Sequence, residues 1–121
     1  MGKRERMAGM IVHLLALAML VQDNQRPASL GSALYAHCQE AVRILDNPRA
    51  GGDLQSATEC TAYIDGFTDA LSFPGVCVNG ASVATITRVY VAYMQKNPKL
   101  MDDPKSLGLL ESLRNAYPCH K

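Results

Sequence analysis

The sequence has no tryptophan, only two phenylalanines and five tyrosines, and charged residues make up only 19% of its 121 residues. Its formal net charge is +1. Proteins that bind nucleic acids usually carry a basic stripe interleaved with aromatic side chains, and no such stripe is present. The composition therefore argues against nucleic-acid binding. At 48% hydrophobic residues, the chain is also too apolar to be disordered.

Sequence motifs of catalysis are missing as well. There is no G-x-S-x-G, no H-E-x-x-H and no phosphate-binding glycine loop. A nucleophile needs an oriented base, yet His37 lies beside a cysteine and His120 is the next-to-last residue. Asp65 and Asp69 would share one helix face, where like charges are mildly unfavourable and best solvated. We therefore predict a protein that is not an enzyme and needs no cofactor.

Long apolar runs are absent too, and Met10–Val21 is an uncharged, largely apolar run of only 12 residues. It is too short to span a bilayer, which needs about 20 residues. Because three basic residues precede it within the first six positions, it is typical of a signal peptide. We predict a signal peptide over residues 1–29, with cleavage between 18 and 31, and export to the periplasm without a stable membrane span. The alternative is the first helix of a protein that is not exported.

The sequence contains four cysteines, Cys38, Cys60, Cys77 and Cys119. An even number of cysteines in a short exported chain predicts disulfide bonds. Zinc is the alternative, because His37-Cys38 and Cys119-His120 are adjacent pairs. Neighbouring residues rarely direct both side chains at one ion, and no C-x2-C spacing occurs. We therefore predict no metal site.

Apolar residues recur at helical spacing in four segments and predict an all-α protein. The first helix covers about 30–46 and the second about 54–72, with Asp53 as its N-cap. The third follows a Ser82 cap and ends near Lys96, before Asn97-Pro98. The fourth starts at Pro104. Its predicted inward residues are Leu107, Leu110, Leu113 and Tyr117. No segment has the pattern of a β-strand of useful length.

Short connections between four helices predict a small antiparallel bundle. Folding at the 47–53 turn brings Cys38 level with Cys60, on the buried faces of the first two helices. Cys77 precedes the third helix and Cys119 follows the fourth, so antiparallel packing brings these ends together. The helix layout therefore predicts the disulfides Cys38–Cys60 and Cys77–Cys119, each worth roughly 3 to 4 kcal/mol in the chain-entropy model.

Several short motifs occur in a fixed order along the chain. They are C-T-A-Y-I-D-G over 60–66, Asp69-Ala70, Cys77, V-Y-V-A-Y-M-Q-K-N-P over 89–98, and N-A-Y-P-C over 115–119. In this order they resemble the Rap/Tai family, the immunity proteins against peptidoglycan amidases delivered by type VI secretion. The resemblance covers about 31–119.

This resemblance implies a periplasmic helical domain, often a homodimer, that binds and inhibits a cognate peptidoglycan amidase effector by inserting a loop or helix end into its active-site cleft. In some members that element connects the last two long helices, which corresponds here to residues 99–104. Leu100 and Met101 would supply an apolar anchor. Asp102 and Asp103 would face the catalytic cysteine and histidine of the amidase. The alternative is an ordinary polar turn whose Asp103 caps the fourth helix.

Two other functions remain open at this point. A periplasmic stress protein or chaperone of this size is usually rich in charge and histidine, unlike this chain. An envelope protein without a toxin partner is the other alternative. A neighbouring toxin gene would favour the immunity function, and an isolated, acid-induced gene would favour the chaperone.

Overall fold

The computed structural model describes residues 27–120. Their fold is all-α and consists of four helices, as the sequence predicts. These are α1 (Gly31–Asp46), α2 (Leu54–Ala70), α3 (Val83–Lys96) and α4 (Lys105–Ala116), and a 3-10 helix (Pro98–Asp102) connects α3 to α4. The predicted signal peptide lies almost entirely outside the described residues.

α2 and α3 begin directly after the capping residues that the sequence predicts, Asp53 and Ser82. An Asp53 carboxylate oxygen accepts a hydrogen bond from the Ser56 backbone N–H at 3.1 Å. The Ser82 hydroxyl accepts one from the Thr85 N–H, also at 3.1 Å. Because a helix leaves its first N–H groups without partners inside the helix, both caps fix the start of their helices. The hydrogen bonds from Ser56 also hold the pKa of Asp53 below its usual value.

The core lies where α1 and α3 meet the other two helices. α1 and α3 each pack against all other helices, whereas α2 and α4 pack mainly against α1 and α3. The largest fully buried side chains are Tyr90, Ile64, Ile86, Met94, Leu109 and Leu113. A single apolar cluster thus includes residues from all four helices.

The prediction for the buried face of α4 was partly wrong. Leu113 is buried, but Leu107 is 37% exposed and Leu110 is only half-buried. The core face of α4 includes Gly108 and Leu109. Gly108 lets the Met94 side chain approach so closely that a Cβ there would lie 2.8 Å from the Met94 sulfur. This contact turns α4 so that Leu107 and Leu110 face away from the core.

Both predicted disulfides are present. Cys38–Cys60 joins α1 to α2 and is fully buried, with a Cα–Cα distance of 5.0 Å. Cys77–Cys119 has the same Cα–Cα distance but lies at the surface. The Cys77 N–H donates to the Tyr117 carbonyl at 2.8 Å, so backbone hydrogen bonding also attaches the end of α4 to the segment before α3.

Candidate functional site

The connection between α3 and α4 contains the four residues that the sequence predicts as partner contacts. The 3-10 helix turns the Leu100 side chain into the core, where it is 3% exposed. Met101 is half-buried against the core, Asp102 is exposed, and Asp103 is half-buried. Leu100 therefore anchors the turn from inside and is not available as a surface contact in this conformation. The accessible part consists of Met101, Asp102 and Asp103, which we call the acidic turn.

The start of α1 holds the acidic turn in place. The Gly31 N–H donates to the Asp103 carbonyl at 2.8 Å, and the Lys105 N–H donates to the Ser29 carbonyl at 2.8 Å. A Cβ on Gly31 would overlap the Leu100 carbonyl oxygen, so only glycine allows this close approach. The role of Gly31 was not predicted from the sequence, since only the fold brings it against the turn. Two backbone hydrogen bonds therefore fix the end of the connection that leads into α4.

The carboxylates of the acidic turn have no partner within the turn. Pro104 is the N-cap of α4, and no side chain caps that helix. Asp103 therefore does not cap the fourth helix, in contrast to the alternative considered from the sequence. Within residues 27–120, no ion pair or side-chain hydrogen bond involves Asp102 or Asp103.

The cysteines and His37, which were considered for zinc binding or catalysis, form contacts that stabilise the fold. All four cysteines form disulfides. His37 lies on α1 with its Nδ1 atom 3.2 Å from a Glu59 carboxylate oxygen on α2. In the part of the chain that the structure describes, no group of His, Cys, Asp or Glu residues is placed to hold a metal ion.

The two aspartates of α2 do not form a paired acid and base. Asp65 and Asp69 are both exposed. Neither is part of an ion pair within the described range 27–120. Gly66 lies between them, and no other helix within residues 27–120 comes within 4 Å of a Cβ built on it.

A groove lies between α2 and α4, and the sequence analysis did not predict it. Its volume is about 420 Å³. The lining is mostly apolar and comprises Phe67, Ala70, Leu71, Phe73, Leu107 and Leu110 with Ser72 and Ser106. Phe73 is 45% exposed in this groove. Its first lining residue on α4, Ser106, lies three positions after Asp103.

No helix within residues 27–120 combines the length and apolar character needed to cross a membrane.

The described residues thus form a small, disulfide-linked helical domain with a fixed acidic turn and an apolar groove on its surface. These features are typical of a domain that recognises another protein. The chain belongs to the Rap1a immunity protein family, because the model of the Rap1a immunity proteins matches residues 30–119. No curated protein and no solved structure matches the chain.

Membership in this family has direct functional consequences. It implies immunity to an effector of a type VI secretion system, and therefore binding to a cognate effector. Proteins of this family inhibit without being enzymes, in agreement with the sequence prediction. The family and the two disulfides together indicate an extracytoplasmic protein.

Proposed function

We propose that the protein acts in the periplasm, where it binds and inhibits a peptidoglycan amidase that a type VI secretion system delivers. The two disulfides support an oxidising compartment. The basic residues and apolar run before residue 22 support export by a signal peptide. The family supports an effector as the partner.

The observation that carries this proposal is the acidic turn, whose carboxylates have no ion-pair or hydrogen-bond partner within residues 27–120. Backbone hydrogen bonds from Gly31 to Asp103 and from Lys105 to Ser29 attach its α4 end to the start of α1. The buried Leu100 side chain fixes it from beneath. Because such a turn is already ordered before binding, little conformational entropy is lost when a partner binds. A fixed turn whose carboxylates are unpaired among the described residues is suited to enter a cleft.

The chemistry of the acidic turn fits the active site of an amidase with a catalytic cysteine and histidine. A protonated histidine in such a site would form charge-assisted hydrogen bonds with the Asp102 carboxylate, and these bonds are stronger than neutral ones. Met101 is flexible and apolar, so it would fill irregular space at the rim of the cleft. Inhibition then follows from occupation of the cleft and needs no chemical step.

The experiment uses the oxidised protein as bait in a lysate of its own source, washed at high salt. Mass spectrometry identifies what stays bound, and the captured enzyme is assayed on purified peptidoglycan. We expect a stoichiometric cell-wall amidase whose activity is lost at a one-to-one ratio with the bait. Capture of no amidase, or of an amidase that stays fully active when bound, would contradict the proposal.

A further inference from the structure

The groove between α2 and α4 is an apolar surface that the fold leaves uncovered. Leu107 and Leu110 come from α4, Phe67 comes from α2, and Phe73 comes from the segment that follows α2. Leu107 and Phe73 are 37% and 45% exposed. Grouped apolar side chains at the surface of a small protein commonly mark a binding site. They are grouped here because α4 packs Gly108 against Met94, which leaves Leu107 and Leu110 on its outer side.

Two cations flank this groove, and each lies against an aromatic ring. The Lys105 Nζ atom is 4.4 Å from the centre of the Tyr63 ring. The Arg114 Cζ atom is 5.0 Å from the centre of the Phe73 ring. Nine positions separate the cations along α4, which corresponds to about 13 Å at the helical rise per residue. They therefore lie near opposite ends of the groove.

No carboxylate of residues 27–120 forms an ion pair with either cation. The ion pairs found within residues 27–120 involve Arg43, Arg88 and His37, but not Lys105 or Arg114. Glu59 lines a shallow depression together with Lys105, but its carboxylate contacts His37 at 3.2 Å. Glu111 lines another shallow surface with Arg114 without coming within ion-pair distance. No charged residue lines the groove itself.

We propose that this groove binds a segment of a partner protein in which apolar side chains are flanked by carboxylates. The apolar side chains would cover Phe67, Leu107 and Leu110, and the carboxylates would meet Lys105 and Arg114. This assignment does not depend on the identity of the effector or on the acidic turn. A second copy of the chain fits less well, because a two-fold contact between two such grooves would place Lys105 and Arg114 against the same cations of the other copy.

The test uses a phage-displayed library of random peptides, selected on the immobilised oxidised protein. Recovered peptides are synthesised with a fluorescent label, and their affinities are measured by fluorescence polarisation. We expect peptides with apolar residues between Asp or Glu residues. The double variant Lys105→Glu/Arg114→Glu should weaken their binding at least about tenfold.

A matched control changes the same amount of charge elsewhere. Arg49 and Lys96 are exposed. The double variant Arg49→Glu/Lys96→Glu should leave peptide affinity within about twofold of the original protein, since exposed charges at a distance are screened. Leu107→Glu tests the apolar lining of the groove, and it should also weaken peptide binding at least about tenfold. Circular dichroism of each variant shows whether the helices are retained.

Three results would overturn the proposal. The first is a selection that yields no acidic peptides. The second is an equal effect of the groove and control double variants on peptide affinity. The third is a dimer in sedimentation experiments that Leu107→Glu converts to a monomer, since a second copy would then be the occupant of the groove.

Discussion

Gly31, the first residue of α1, lies directly against the Leu100 carbonyl oxygen in the turn that follows α3. No Cβ fits between them. Two parts of the chain almost 70 positions apart thus meet backbone to backbone, and the neighbouring Gly31 N–H donates to the Asp103 carbonyl at 2.8 Å. The position of the acidic turn is therefore set by the start of the first helix.

Gly31→Ala should destabilise the protein by about 1 to 3 kcal/mol, because the added methyl group forces the backbone at Leu100 to move. Gly66→Ala is the matched control. Gly66 lies in the interior of α2, and among residues 27–120 a Cβ built on it would meet no heavy atom within 4 Å apart from the backbone of its own helix. That change should stabilise the protein by about 0.5 to 1 kcal/mol through helix propensity. Urea unfolding of the two variants measures the difference, and equal effects would contradict the close contact at Gly31.

The two disulfides should differ in their resistance to reduction. Cys77 and Cys119 are exposed, whereas Cys38 and Cys60 are fully buried. Because thiol exchange requires a thiolate to reach the sulfur atom, mild reductant should open Cys77–Cys119 first. Cys38–Cys60 should react only when the protein unfolds. Alkylation with mass-spectrometric mapping over time reports the order, and simultaneous opening would show that reduction follows global unfolding.

The buried Tyr90 hydroxyl should make stability depend on alkaline pH. Burial raises the pKa of Tyr90, with smaller contributions from Tyr63 and Tyr35. Since the folded state favours the neutral hydroxyl, this stability is fully present below about pH 10, the pKa of an unfolded tyrosine. It is lost as pH rises toward the higher pKa of the folded state.

Tyr90→Phe provides the measurement. Near neutral pH it should cost about 1 kcal/mol or less, because it removes only a long hydrogen bond of 3.4 Å to the Gly31 carbonyl. Urea unfolding above about pH 10 should show the variant losing less stability than the original protein. A constant difference across the whole pH range would rule out Tyr90 as the titrating group.

Local patterns explain which parts of the fold were predictable. Asp53 and Ser82 are followed at once by helical apolar spacing, so both helix starts could be placed from neighbouring residues alone. The pairing of Cys38 with Cys60 followed from the direction change at 47–53, and that of Cys77 with Cys119 followed from the antiparallel packing of the third and fourth helices. The structure has both caps and both disulfides as predicted.

The face of α4 could not be chosen from its sequence. Leucines at 107, 109, 110 and 113 permit more than one apolar stripe at helical spacing. The fit of Met94 over Gly108 selects the stripe with Leu109, and this contact joins two different helices. The groove was missed for the same reason, because its walls come from α2 and α4 and it exists only once α4 has its orientation.

Leu100 shows how a loop residue can mislead. In sequence it lies in a polar connection and resembles an exposed anchor. The 3-10 helix directs it into the core, where α1 and α3 surround it. Of the predicted contact residues, Asp102 is therefore exposed, whereas Met101 and Asp103 are half-buried.

The most direct test of the proposed inhibitory role is the inhibition constant of Asp102→Arg against the captured amidase. Asp65→Arg is the matched control, since Asp65 is also exposed and unpaired within residues 27–120 but lies on α2. We expect Asp102→Arg to raise the inhibition constant at least about tenfold without lowering the melting temperature. Asp65→Arg should leave both unchanged. An unaltered inhibition constant for Asp102→Arg would remove the acidic turn from the interface and contradict the account.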